Sequence, residues 1–394
     1  MHFSSIADAF PSALNRLYQA REDALRRGQP IVDLVSGNVN KAGIYYPQEV
    51  LAEALVQALR ASRVYDPDSF GQIAARQAIS GYYRQAGVNL PFEQMVLTPG
   101  SSVSYLYCFK LLADSGDEIL CPSPSYPLFE TIAKLCQIRP TAYRLVESEG
   151  WKIDLDYLES QITTRTRAIV VISPHNPTGA VADDDELQGL AEIAARHQLP
   201  IVADEVFGEF LFGLHRLPRA AQTDAPLVFT LNGFSKMLAL PGIKLGWLAV
   251  SGKPSFVKKS IRALEMISDT FLPVSEPVQF AVPELLNSGQ SFLTSYRSWV
   301  SQCRDLAVKA LSSCRNLALV APSGGFYLTA RWVGSERDEE QWIIELLSEH
   351  GVLVHPGYFY DIPETHLVMN FVQEHGALKQ ALRRLAEFLG RDVL

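Results

Sequence analysis

The sequence predicts an α/β fold: a mostly parallel central sheet with helices on both faces, joined to a smaller α+β unit. Three observations predict it. Between residues 95 and 250, short apolar, β-branched runs alternate with helix-length amphipathic segments, the pattern of βαβ crossovers. Several of those runs, such as Ala168-Ile-Val-Val-Ile172, are apolar throughout, as strands covered on both faces must be. Beyond about Pro273 the alternation gives way to long helices and a few late strands.

Taken in order, residues 12–27 read as an amphipathic helix, with Leu14, Leu17, Tyr18 and Leu25 at helical spacing and Gly28 as its stop. A short strand at 31–35 leads into the polar loop Ser36-Gly-Asn-Val-Asn40. Pro47 opens a helix to about Ala61, proline being suited to a first turn. The turn-rich Tyr65-Asp-Pro-Asp-Ser-Phe-Gly71 precedes a helix to Gln85. Strands are expected at 95–98, 118–121, 141–145, 168–172, 200–203, 227–231 and 245–250, with helices from Ser101, from Leu128, near 155–161 and at 183–197. A turn at Asn232-Gly233 follows the 227–231 run. Then come the longest helix, 290–314, a strand after Gly324-Gly-Phe-Tyr327, a helix at 339–350, strands at 352–354 and 367–371, and a closing helix at 377–389. The expected organisation is a large unit at 46–273 and a small unit built from 1–45 and 274–394, the N-terminal helix packing with the latter.

The chain of 394 residues can bury two or three domain-sized cores. At 47% hydrophobic and 20% charged it has an ordinary globular composition. Lys plus Arg number 35 against 43 Asp plus Glu, a net charge of -8, which argues against nucleic acid or an anionic membrane as the main partner. The start lacks a basic stretch followed by an apolar one, and no apolar run approaches about 18 residues, so neither a signal peptide nor a membrane span is expected. Five cysteines (Cys108, Cys121, Cys136, Cys303, Cys314) form no CxxC pair. Their odd number favours reduced thiols and a cytoplasmic location. HExxH, GxxxxGK[ST] and GxSxG are absent, and His350 and His355 have no matching ligands, so no metal is expected.

In parallel sheets ligands bind beyond the carboxyl ends of the strands, and here each strand end carries chemistry. Thr98-Pro-Gly100-Ser101-Ser102 opens a helix, whose N-terminus suits a phosphate. Pro122-Ser-Pro-Ser-Tyr126-Pro is a stiff loop able to hold an aromatic ring flat. In Ser173-Pro-His-Asn176-Pro-Thr-Gly179 the residue before proline is held extended, presenting its amide. Asp204 ends an apolar strand, where a carboxylate can pair with a protonated pyridine nitrogen. Ser235-Lys236 follows the 227–231 run, and an apolar setting favours a neutral, nucleophilic amine. Lys244, between Gly242 and Gly246, adds a second cation. Singly, these are an N-cap serine, a turn tyrosine, a capping aspartate and a surface lysine. Together, a lysine for a carbonyl and a cation for a phosphate point to pyridoxal phosphate.

The ordered set of phosphate loop, aromatic, Asn, Asp, Lys and second cation resembles the fold-type I pyridoxal-phosphate-dependent transferases. Specifically it is similar to the class I/II aminotransferases of the aspartate aminotransferase superfamily, from Gly37 to Phe371. The resemblance implies that Lys236 carries the cofactor and shuttles the proton, Asp204 meets the ring nitrogen, Asn176 the ring hydroxyl, and Tyr126 stacks on the ring. Gly100, Ser101, Ser102, Ser235 and Lys244 would hold the phosphate, and Gly37 and Asn176 would lie beside the substrate carboxylate. Tyr65 would reach the phosphate of the other subunit of a homodimer with shared active sites. The implied activity is ping-pong transfer of an amino group between an amino acid and a 2-oxo acid. The same scaffold also hosts decarboxylation, elimination and oxidation. A cofactor-sensing regulator would need a basic DNA-binding module in front, and the N-terminus is short and not basic.

Three positions depart from the family pattern. Phe207 stands where a tyrosine is usual, three residues after Asp204, and Lys244 stands for an arginine. In Leu367-Val368-Met369-Asn370-Phe371, Val368 replaces the arginine that holds the substrate carboxylate. Arg331, Lys41 and His366 are candidates to compensate. The expected consequence is a preference for an atypical or apolar amino substrate.

Overall fold

The computed structural model describes residues 2–3, 5–8, 14–125, 127–333, 338–363 and 365–390. Its centre is an eight-stranded sheet in the order Met95–Thr98, Gly246–Gly252, Leu227–Gly233, Ile201–Asp204, Thr166–Ile172, Glu118–Ser123, Arg139–Val146, Lys152–Ile153. The pairings among the five strands from Leu227–Gly233 to Arg139–Val146 are parallel. Gly246–Gly252 runs antiparallel to both its neighbours, and Lys152–Ile153 is antiparallel at the other edge.

The apolar runs are strands because both faces are covered. On one face Ile119, Cys121, Val170, Val202, Phe229 and Leu248 pack with Tyr105, Phe109, Phe129 and Leu264 from three helices. Their alternate neighbours Leu120, Ile169, Val171, Ile201 and Val228 pack on the opposite face with Leu187, Leu190 and Ala194. Each such side chain contributes about 1.5–3 kcal/mol by leaving water. The helices start and stop on local signals. Asp183 caps Asp184–His197 in a capping box with Glu186. Gly28, at φ 71°, follows the end of Arg16–Arg26.

A second sheet, all antiparallel, has the order Leu317–Leu319, Tyr327–Trp332, His366–Asn370, His355–Pro356. Beside it Val32–Asp33 pairs parallel with Val352–Leu353. The 23-residue helix Gln290–Ser312 packs with His375–Phe388, and Arg16–Arg26 packs on Glu339–His350, as expected of the N-terminal helix.

Most expected elements are present within one to three residues at their ends, where fraying makes boundaries soft. The helix expected at 12–27 spans Arg16–Arg26, and residues 9–13 lie outside those described. Two differences have physical causes. Asn232-Gly233 is not a turn: the strand continues to Gly233, paired with Trp247 and Gly246, so reversal occurs beyond Lys236. Helix Glu276–Ser288 falls past the expected boundary at 273 but packs against Gln48–Ala61 and Ile73–Gln85. Its Ala281, Val282 and Leu285 share a core with Ala54, Ile79 and Trp247 on the large-sheet side. Among the described residues no helix is long and apolar enough to cross a membrane.

Candidate active site

The carboxyl ends of the parallel strands open into a cavity lined by Ser101, Ser102, Asn176, Asp204, Ser235 and Lys236, with Tyr105, Phe207 and Tyr327. Larger clefts open elsewhere; this one is distinguished by its chemistry.

Lys236 occupies the one-turn helix Phe234–Met237 between two antiparallel strands. Phe234 and Met237 are buried and anchor the turn. The Lys236 Nζ donates to the Gly37 carbonyl oxygen at 2.8 Å. Burial lowers its pKa from the ordinary lysine value to about 8, so about a tenth of the amine is neutral at pH 7. Gly37 leaves this corner open. An added Cβ there would lie 2.6 Å from the Tyr327 hydroxyl oxygen and 3.1 Å from Lys236 Nζ.

Asp204 is buried at the end of its strand. Burial raises its pKa to about 6, against the opposing pull of hydrogen bonds. Its Oδ1 accepts from the Val206 N–H at 3.0 Å and its Oδ2 from the Tyr105 hydroxyl at 2.8 Å. Asn176 is buried, and its amide oxygen has no partner. Because the amide can turn end for end, that site can present either a donor or an acceptor to a ligand. The loop that carries it is stiffened by His175 N to Ala180 O at 2.7 Å and His175 Nδ1 to Thr178 Oγ1 at 2.9 Å. His175 itself is buried, which lowers its pKa to about 3 and keeps it neutral.

At the other end, helix Ser101–Leu112 begins at Gly100, whose φ of 130° favours glycine. No side chain caps this N-terminus, which leaves first-turn N–H groups for a ligand. A Cβ on Gly100 would lie 3.9 Å from Lys244 Nζ, and a Cβ on Gly246 would lie 2.9 Å from Gly100 Cα. The hairpin after Lys236 is thus pressed against the start of the helix, and Lys244 is brought to it. An anion at this N-terminus would meet hydroxyls, amides and a cation together. A ring-bearing phosphate fits this set: an anion cradle, a buried carboxylate for a ring nitrogen, an unpartnered amide and a depressed-pKa lysine.

One expected residue lies in a different cleft. Tyr65 is 71% exposed and lines a separate cleft with Ser268, Pro273 and Glu276. Tyr126 lies outside the described residues. The compensating cations are not in the cavity either. Glu147 accepts from Arg331 at 2.9 Å and lies 3.3 Å from His366 Nε2, while Lys41 is exposed. Among the described residues lining the cavity, Lys236 is the sole cation. Sequence reasoning missed Tyr105 and Tyr327. Tyr105 lies one helical turn beyond Ser101, and that spacing was the available signal.

Comparison with known proteins agrees with this chemistry. The model of the family "Aminotransferase class I and II" matches residues 29–385. Alanine aminotransferase of Mycobacterium tuberculosis is 32% identical over 371 residues, covering 92% of this chain and 86% of the relative. The Escherichia coli glutamate-pyruvate aminotransferase AlaA is 30% identical over 373 residues, covering 92% and 91%. The solved alanine aminotransferase of Pyrococcus furiosus superposes with a TM-score of 0.91 at 27% identity, covering 99% of this chain and 100% of that one. This chain therefore belongs to the class I and II aminotransferases, the pyridoxal-phosphate-dependent transferases of fold type I that move amino groups.

Proposed function

We propose that this aminotransferase acts between an apolar amino acid and a 2-oxo acid, without an arginine of the late strand on the substrate carboxylate. The supporting observation is the place of Val368. Residues alternate across a strand, and Val368 pairs with Thr329, two residues along from Tyr327 on its strand. Val368 therefore shares the sheet face of Tyr327, which lines the cavity. It is buried against Tyr360 and Ile362, with Phe359 alongside. An apolar wall stands where a bidentate cation would give a carboxylate its strongest hold.

Pyridoxal phosphate supplies an aldehyde and an electron-withdrawing ring. Lys236 would attach the cofactor and, released, carry a proton to and from the substrate carbon. Asp204 would retain a proton on the ring nitrogen, Asn176 would meet the ring hydroxyl, and Tyr126 would stack on the ring. Gly100, Ser101, Ser102, Ser235 and Lys244 would hold the phosphate, with Gly37 and Asn176 beside the substrate. The cofactor-binding part is 46–273 extended through Ser288, and the remainder forms the smaller part.

The assembly would be a homodimer in which Tyr65 completes the partner's site. Tyr65, Val64, Tyr45, Met266 and Phe271 are all strongly exposed, a cost that a second copy would remove. A cytoplasmic location fits five cysteines that are all buried and form no disulfide.

A panel of amino donors and 2-oxo acceptors tests the substrate class. Alanine with 2-oxoglutarate, the reverse of the glutamate–pyruvate exchange in a relative's name, should exceed aspartate with 2-oxoglutarate. A kcat/KM for the latter pair on the order of 10⁴ M⁻¹s⁻¹ or more would overturn the proposal.

A further inference from the structure

Helix Ser101–Leu112 does more than offer its N-terminus. One turn in, Tyr105 is buried, its ring packed edge-on against Phe129 at 5.0 Å and tilted against Phe109 at 5.8 Å. In these apolar surroundings its hydroxyl donates to Asp204 Oδ2 at 2.8 Å, across 99 residues of sequence. Burial, reinforced by the neighbouring carboxylate, pushes the phenol well above its usual pKa, so it stays a donor at any working pH. The second oxygen, Oδ1, is taken by the Val206 N–H. One donor on each oxygen fixes the rotation of the carboxylate and favours its charged form against burial. The helix is itself held in place, because Thr98 Oγ1 bonds Ser104 Oγ at 2.8 Å.

We propose that Tyr105 is a positioning residue: through its hydrogen bond it orients Asp204 and holds it ionised, and so sets how strongly the site retains a proton on the cofactor's ring nitrogen. The proposal rests on the assignment of Asp204 to that nitrogen. It adds that one helix couples the two ends of cofactor recognition, Ser101 and Ser102 at the phosphate and Tyr105 behind the ring.

The test compares pyridoxal phosphate with its 1-deaza analogue, in which the ring nitrogen is a C–H, bound to the apoprotein in equilibrium titrations. The wild type should prefer pyridoxal phosphate. Tyr105→Phe should reduce that preference by about tenfold or more, the loss expected for a hydrogen bond to a charged group. Its affinity for the deaza analogue should stay within about twofold of wild type, since the ring packing is kept. With ¹⁵N-labelled cofactor, the ring nitrogen resonance of Tyr105→Phe should move toward the unprotonated position. Asp204→Asn should abolish the preference, and the double variant should lose nothing further. An unchanged preference and resonance in Tyr105→Phe, or equal weakening toward both cofactors, would overturn the role of Tyr105. An unchanged preference in Asp204→Asn would instead overturn the assignment of Asp204, which keeps the two failures distinct.

Discussion

The cavity has two walls of opposite character. The large-sheet wall is polar at every strand end: Gly100 and Ser101 follow Met95–Thr98, Asn176 follows Thr166–Ile172, Asp204 ends Ile201–Asp204, and Lys236 follows Leu227–Gly233. The small-sheet wall presents Tyr327, and farther along the same sheet face lie Thr329, its buried hydroxyl unpartnered, and Val368 beside Tyr360 and Ile362. Arg331 and His366 on the same sheet are engaged by Glu147. On the proposed reading, the first wall meets a cofactor whose chemistry does not vary, and the second meets the substrate, where one side chain would change what is recognised without disturbing the sheet.

Breaking the polar wall should have the largest effect. Lys236→Ala should fold but lose activity by about 10⁴-fold, the upper range for a proton-transfer group. Borohydride reduction of the wild type should label Lys236; a label on another lysine would displace the site. Because the pKa of Lys236 is depressed to about 8, its reactive neutral form grows as pH rises toward that value and then levels. The rate of cofactor capture by the apoprotein should follow the same curve, and a pH-independent rate between 6 and 9 would contradict it.

Changing the apolar wall should alter preference rather than existence of activity. Val368→Arg places a cation on the Tyr327 face and should shift the ratio of kcat/KM for aspartate over alanine by about tenfold to a hundredfold, the scale of a charged hydrogen bond. Unchanged kcat/KM values for both donors would mean that position 368 does not face the substrate.

A smaller effect tests whether a third contribution comes from a partner. Mixed Tyr65→Ala and Lys236→Ala subunits should regain activity at about one site in four, since random pairing in a two-fold dimer gives that share of intact sites. Fully active monomers in sedimentation would exclude shared sites.

The smallest expected effect lies where the walls meet. Phe207 is in edge contact with Tyr327, ring centroids 6.1 Å apart, and its own centroid lies 5.9 Å from Lys236 Nζ. Phe207→Tyr would add a phenol able to donate to the ring oxygen. The lysine-linked cofactor's absorbance titration should then move to lower pH by about one unit. No movement, or an upward one, would show that this side chain does not reach the oxygen.

The polar wall was legible in the sequence because each of its groups is placed by local chemistry. An apolar run becomes a strand, the strand ends at a turn, and the polar residue after it has nowhere to point except the carboxyl edge. That is why Ser101, Asn176, Asp204 and Lys236 could be named in order. The apolar wall was legible only as a missing arginine. Its face depends on the register of Tyr327–Trp332 against His366–Asn370, strands joined by a long excursion through Glu339–His350. The expected compensation by Arg331 and His366 failed for the same reason, since Glu147, 184 residues from Arg331 in sequence, reaches them first.

The sequence by itself determined the fold class, the stop of the first helix at Gly28, the cofactor and the residues at the strand ends, because short-range sterics and hydrogen bonding encode these within a few residues. Only the tertiary structure decided the rest. It turned Gly246–Gly252 antiparallel and pressed Gly246 onto Gly100. It also set Glu276–Ser288 against the large-sheet helices and aimed the Tyr105 hydroxyl at Asp204. Each of these joins surfaces far apart in the chain, and which surfaces meet is settled by the burial of the whole core rather than by any local run of residues.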